Sequence, residues 1–206
     1  MINFICASAG RGKTLLMQKI LENKEKFLIS TFDFYKDEYN FQLEEIKLNS
    51  FSQIKNNLKL NNNKIIFTTN NQNNLKMNFP YFLRTLMKTK KFNEYTIVLE
   101  NSFFYIDQNL FNLLFHISRY TDIYILVHST KDFEDLIRNR EYLFNFYFNS
   151  KDIYFEPMNS FLEKNIQINT ENLFDKIKEF NNSLRYGVFI EISQGKYKIL
   201  KDMKWI

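Results

Sequence analysis

Residues 7–14 read Ala7-Ser8-Ala9-Gly10-Arg11-Gly12-Lys13-Thr14, and they hold two of the chain's four glycines beside a lysine and a hydroxyl. The spacing is G-x-x-x-x-G-K-[ST], with Ala7 where the first glycine usually stands. Such a segment does chemistry through its backbone. Outward-turned N–H groups that open onto a helix N-terminus make a nest for phosphate oxygens. Gly12 lets the chain approach the phosphates, Lys13 reaches the β and γ oxygens, and the Thr14 hydroxyl ligates Mg²⁺. The expected ligand is ATP with Mg²⁺, held by Ser8, Ala9, Gly10, Arg11, Gly12, Lys13 and Thr14. A methyl group at Ala7 is tolerable if that residue keeps a negative φ, and Gly10 stays available for a special conformation. The alternative is an ordinary strand–turn–helix that happens to contain Gly-Lys-Thr.

Hydrolysis asks for more. A carboxylate at the end of a buried strand must hold the metal's water shell, and a neighbour must orient the attacking water. Glu100 and Asn101 end the run Thr96-Ile97-Val98-Leu99; Asp107 and Gln108 end Phe103-Phe104-Tyr105-Ile106. Glu100 is preferred, because its strand is aliphatic and leaves room for a helix before the strand at Ile123. Asp107 also suits the N-cap of a helix starting near Asn109. Asn101 can orient water but accepts no proton. Slow hydrolysis, or a base from elsewhere, is the expectation.

The elements that must position these groups alternate between apolar strand-like runs and helical periodicity, which predicts βαβ units around a mostly parallel sheet. Strands are expected at Ile2 to Cys6, Phe27 to Thr31, Lys64 to Thr68, Thr96 to Glu100, Ile123 to Val127 and Leu143 to Phe148. Helices are expected near Lys13 to Glu22, Phe51 to Leu58, Leu110 to Ser118, Phe133 to Arg140 and Leu173 to Phe180. Asn70 to Asn78 reads as an exposed loop, with a helix beginning at Pro80 and continued by Phe82, Leu83 and Leu86. A hairpin closes the pattern, Tyr186 to Ile192 and Tyr197 to Leu200, turning at Gln194-Gly195. The expected fold is α/β with helices flanking a central sheet, the acidic strand beside the phosphate-loop strand, and a C-terminal β-hairpin. It is read as one domain, core about 1–150 and appendage about 151–206.

Composition narrows the setting. The chain has 206 residues, 45% hydrophobic and 25% charged, ordinary for a globular protein. Its 23 Phe and 12 Tyr against two Pro are unusual. The lone cysteine, Cys6, cannot form an intramolecular disulfide and suits a reducing interior as a small buried hydrophobe. There is no run of about 18 apolar residues and no signal-peptide start, so a cytoplasmic protein without its own membrane span is expected. The net charge of +5 fits a polyanion partner without requiring one.

The order of parts resembles a known family. After the phosphate loop come Ile97-Val98-Leu99-Glu100-Asn101, then Leu114-Phe115-His116-Ile117-Ser118-Arg119-Tyr120, then Ile123-Tyr124-Ile125-Leu126-Val127-His128-Ser129, then Leu136-Ile137-Arg138-Asn139. This is similar to the genome-packaging ATPases of double-jelly-roll-capsid viruses, a branch of the FtsK/HerA DNA translocases with a RecA-like P-loop NTPase core. The resemblance implies an ATPase that translocates double-stranded DNA as a homo-oligomeric ring, packaging a viral genome at a capsid or portal vertex in the host cytoplasm. It implies that Glu100 takes the metal-side acidic position and Asn101 the water-orienting one. His128 would stand where a polar sensor ends the strand, in place of glutamine. Arg119 and Arg138 would contact a neighbouring subunit's γ-phosphate. Only six arginines stand against 22 lysines, and a planar charged fork suits that task.

Each role has a plainer counterpart. His128 could be a satisfied strand-end histidine, Arg119 and Arg138 solvated charges, and Lys88, Lys90 and Lys91 a solvated helix end rather than a DNA contact. Three other functions share parts of the pattern. A filamentous-phage assembly (Zot-like) ATPase usually continues into a membrane span. A nucleoside or nucleotide kinase needs an arginine-rich lid. A nucleotide-dependent switch would follow if Asn101 abolished turnover.

Overall fold

A strand with no polar face has to be covered on both sides, and Ile2–Cys6 (β1) is buried at every residue. The computed structural model of the protein describes residues 1–32, 37–47, 63–88, 92–100, 106–184 and 187–200. It is α/β throughout and falls into two compact units. One comprises Met1–Ile2 and Met17–Leu126, the other Asn3–Leu16 and Val127–Ile206.

The first unit is built on Phe27–Phe32 (β2), Glu44–Lys47 (β3), Lys64–Thr69 (β4), Thr96–Leu99 (β5) and Ile123–Val127 (β6), in the order β3-β4-β2-β5-β6. All four pairings are parallel, with Ser30 opposite Leu99 and Leu99 opposite Ile125. β5 has β2 on one edge and β6 on the other. The expectation that the acidic strand lies beside β1 is therefore wrong. The parallel neighbour of β1 in its own unit is Asn145–Asn149 (β7).

Lys13–Glu22 (α1) falls on the expected residues, its buried Leu16, Met17 and Leu21 following helical spacing. The asparagine-rich stretch does not form the expected loop. Gln72–Leu86 (α2) runs through it, capped by Asn71, whose side chain accepts from the Asn73 N–H at 2.9 Å, and Pro80 sits inside the helix. Leu75, Phe79, Phe82, Leu83 and Leu86 form a stripe that is at most 2% exposed. Burying each such side chain contributes about 1.5–3 kcal/mol. Five of them outweigh the roughly 3 kcal/mol that an interior proline costs. Next along the chain, Gln108–Ile117 (α3) takes Asp107 as its N-cap, the carboxylate accepting from the Leu110 N–H at 2.9 Å.

In the second unit β1 and β7 are parallel, and β7, Phe189–Ser193 (β8) and Lys196–Leu200 (β9) follow antiparallel. Gln194 (φ 51°) and Gly195 (φ 71°) form the two-residue turn with both positions left-handed, as a type I′ hairpin needs. Here the phenylalanine content finds its use. Phe4 stacks on Phe133 at 4.4 Å, and Phe146 lies 5.4 to 6.0 Å from Phe4, Phe133, Phe148 and Phe161. The helix expected over Phe133 to Arg140 is only Glu134–Ile137 (α4), preceded by a 3₁₀ turn at Thr130–Asp132. The helix stops at Ile137 because Arg138 has already left helical geometry (φ −40°, ψ 128°), and Asn139 follows in left-handed backbone at φ 62°. Glu156–Phe161 (α5) and Thr170–Ser183 (α6) complete the unit. The helix expected over Phe51 to Leu58 lies outside the described residues. Among the described residues no helix is long and apolar enough to cross a membrane.

Candidate functional site

The glycine loop follows β1 within the second unit. Its first residue, Ala7, is fully buried and donates its N–H to the Val127 carbonyl at 3.2 Å. The positive φ values of the loop fall on Gly10 (71°) and Gly12 (79°), not on Ala7. That is the condition under which alanine is tolerable at this position. A Cβ at Gly10 would meet nothing within 4 Å, and one at Gly12 only atoms at 4.0 Å. Both positions need glycine for its backbone freedom, not for lack of space. α1 takes over at once, Leu16 donating its N–H to the Gly12 carbonyl at 2.9 Å. Thr14 lies in the first turn of that helix, partly exposed.

Lys13 folds back over this loop. Its ammonium donates to the carbonyls of Ala7 at 2.5 Å and Ser8 at 3.1 Å, and lies 3.1 Å from His128 Nδ1. An ammonium only donates, so Nδ1 is the acceptor and the ring proton resides on Nε2. Burial, and then the charge of Lys13, push the His128 pKa down against a smaller opposing pull from Asp132. The imidazole is thus held neutral. Asp132 secures it from the backbone side, one carboxylate oxygen accepting from the N–H groups of His128 and Ser129, each at 2.9 Å. Ser129 and Asp132 form a reciprocal capping box at the start of the 3₁₀ turn.

The turn after β7 also reaches the loop. Asp152, fully buried, accepts the Ser8 N–H at 2.7 Å and faces Arg11 Nε at 3.6 Å. Asn149 donates its amide to the Arg11 carbonyl at 3.1 Å. Cys6, the last residue of β1, is a buried thiol whose pKa burial raises well above its usual value, in keeping with a packing role.

The other expected site residues are distributed as follows. Glu100, in the first unit, is buried just past the end of β5. Its N–H donates to the Ser30 carbonyl at 2.9 Å, and its carboxylate accepts from the Thr31 hydroxyl at 3.0 Å. Asn101 lies outside the described residues. Arg119 is exposed just before β6, beside a shallow depression lined by Lys24, Ser118 and Asp122. β5 and β6 run parallel with Ile97 opposite Ile123, which puts Arg119 and Glu100 at opposite ends of that unit's strands. Arg138 is 74% exposed and pairs at 3.0 Å with Asp135, itself 89% exposed. Lys88 is exposed; Lys90 and Lys91 lie outside the described residues.

The structure therefore brings Ser8, Arg11, Lys13 and His128 together and adds Asp132, Asn149 and Asp152, which the sequence did not single out. Ser129-x-x-Asp132 was visible as a capping pattern. Asn149-Ser150-Lys151-Asp152 carried only a generic turn signal, with nothing to say which loop it meets. No protein-family model matches the chain, and no curated protein matches it.

Proposed function

We propose that this protein binds Mg²⁺-ATP on the glycine loop and hydrolyses it to drive movement of double-stranded DNA. One observation carries the nucleotide-binding part: a buried strand ends in a loop whose two glycines are left-handed, and the lysine after them folds back across that loop. A bound triphosphate would give Lys13 a better partner than two peptide carbonyls, since it adds the Coulombic attraction of opposite charges that neutral carbonyls lack. His128, neutral beside Lys13, has an Nε2–H to offer a phosphate oxygen.

A Mg²⁺ ion bound with nucleotide uses one or two protein oxygens, the phosphates and water. The Thr14 hydroxyl, in the first turn of α1, is a hard donor of the right chemistry. Among the described residues, no group of three or more His, Cys, Asp and Glu gathers to hold an ion without such help. In this reading the metal would supply charge stabilisation at the phosphates. The resemblance alone gives Glu100 the metal-side acidic role and Asn101 the water-orienting one. Arg119, at the opposite end from Glu100, would serve a neighbouring subunit's site, as would the exposed Arg138.

The translocation part rests on the resemblance to FtsK/HerA packaging motors, with a ring around DNA and a capsid or portal vertex as the partner. The decisive experiment measures ATP turnover with and without duplex DNA for the unchanged chain and for Lys13→Ala. The expected result is DNA-stimulated turnover that falls about 100-fold or more in K13A. Equal turnover by both proteins would overturn the whole reading. Turnover indifferent to DNA would leave a nucleotide-binding protein and remove the motor.

A further inference from the structure

An anion nest is an improbable place to bury a negative charge, yet Asp152 is fully buried directly behind the glycine loop. Topology puts it there. β7 pairs parallel with β1, Phe148 opposite Cys6, so the turn that follows β7 comes level with the start of the loop. That turn is rigid in its own right: Asn149 accepts the Lys151 N–H on its side chain at 2.9 Å and the Asp152 N–H on its carbonyl at 3.0 Å. It then grips the loop at two places. Asp152 holds the Ser8 N–H, and Asn149 holds the Arg11 carbonyl. Ser8 and Arg11 also bond to each other, the Arg11 N–H donating to the Ser8 carbonyl at 3.3 Å. The second Asp152 oxygen has no hydrogen bond among the described residues and faces the Arg11 guanidinium at 3.6 Å.

Resting on the nucleotide-binding reading above, we infer that Asp152 is the positioning residue of the glycine loop, and that Arg11 serves as its counter-charge rather than as a ligand of the phosphates. A buried carboxylate must be paired. Arg11, about a third exposed, supplies the pairing from inside the loop itself. The guanidinium is thereby turned toward the β7 turn, and the loop is fixed in the shape that presents its amides. Removing Arg11 alone strands the carboxylate beside the nest, where it both distorts the loop and repels the incoming anion. Removing the charge of Asp152 as well cancels both effects. Asparagine at 152 still has an oxygen to accept the Ser8 N–H; alanine has none.

The test is a double-mutant cycle on the full chain, with the dissociation constant of a fluorescent ATP analogue measured for the unchanged protein, R11Q, D152N, R11Q/D152N, D152A and K13A. Coupled neighbours of this kind shift equilibria by roughly 2- to 100-fold. R11Q is expected to weaken binding about tenfold, and R11Q/D152N to return to within about threefold of the unchanged chain. D152A is expected to lose about tenfold and D152N little, so that asparagine rescues what alanine loses. Losses that multiply in the double variant would make Arg11 a direct phosphate ligand and overturn the inference, as would D152A binding like the unchanged chain. Amide exchange at Ser8, measured without nucleotide, decides the positioning claim by itself: about tenfold faster in D152A than in D152N supports it, and equal rates sink it. Failure of the unchanged chain to bind nucleotide, or binding by K13A, strikes the proposed function while the exchange result still stands for or against Asp152.

Discussion

The contact between Lys13 and His128 couples a fixed charge to a titratable ring. Both larger influences on His128, burial and the neighbouring ammonium, disfavour the imidazolium, so its folded-state pKa lies below that of a free imidazole, about 6.5. Between those two values the unfolded chain binds more protons than the folded one. The stabilisation from this ring is therefore complete above about pH 6.5 and is lost as the pH falls toward the lowered folded value. The protein has only two histidines, which makes the measurement direct. An NMR titration should place His128 below 6.5, and Lys13→Met should move it only part of the way back, because burial is the larger cause. A full return in K13M would show that the ammonium, not burial, sets the value.

In α2, a hydrophobic stripe overrides the polar run that argues for a loop and carries the helix through a proline expected at its start. Pro80 leaves the Lys76 carbonyl without its i+4 donor and crowds it with the pyrrolidine ring. Pro80→Ala should therefore stabilise the first unit, by about 1–3 kcal/mol after allowing for the extra freedom it gives the unfolded chain. Urea midpoints at unchanged slope would check this, and a destabilised P80A would mean the helix is built around the proline. The same segment shows where sequence patterns reach and where they stop. β1, α1, β5, β6 and the Gln194-Gly195 hairpin were legible because their apolar period or turn chemistry is local. The first half of α2 was hidden by its asparagines, since Leu75 and Phe79 were weaker to the eye than the polar run around them, while Phe82, Leu83 and Leu86 after Pro80 did read as helix. The helix expected through Arg140 stops at Ile137, where Arg138 turns extended ahead of left-handed Asn139, a residue type that tolerates such backbone but does not announce it. In the site, Gly10, Gly12 and Lys13 were legible because the loop's chemistry lies in consecutive residues. Asp132 and Asp152 were not. They meet the loop's neighbourhood only through strand order, across sequence separations that no short pattern records.

For the molecule as a whole, nucleotide binding and DNA binding predict different responses. A ligand that binds only the folded chain stabilises it by about 2.7 kcal/mol at 100 times its Kd. Mg²⁺-ATP should accordingly raise the Tm of the unchanged protein and leave that of K13A nearly where it was. An equal rise in both would place the ligand elsewhere. With a net charge of +5, any duplex DNA binding should weaken steeply between about 50 and 200 mM salt; affinity indifferent to salt would argue against phosphate contacts.

The hairpin has one last consequence, for how copies of the chain behave when crowded. β9 is the outermost strand of its unit's sheet, bonded along one side to β8, and it carries exposed Lys196 and Lys198 alternating with partly covered Tyr197 and Ile199. Among the described residues nothing pairs with its other side, and an open strand margin is a template for fibre growth. Two like-signed ammonium groups along that margin repel the same margin of another copy, so this rim discourages edge-to-edge stacking while leaving each molecule's own pairing intact.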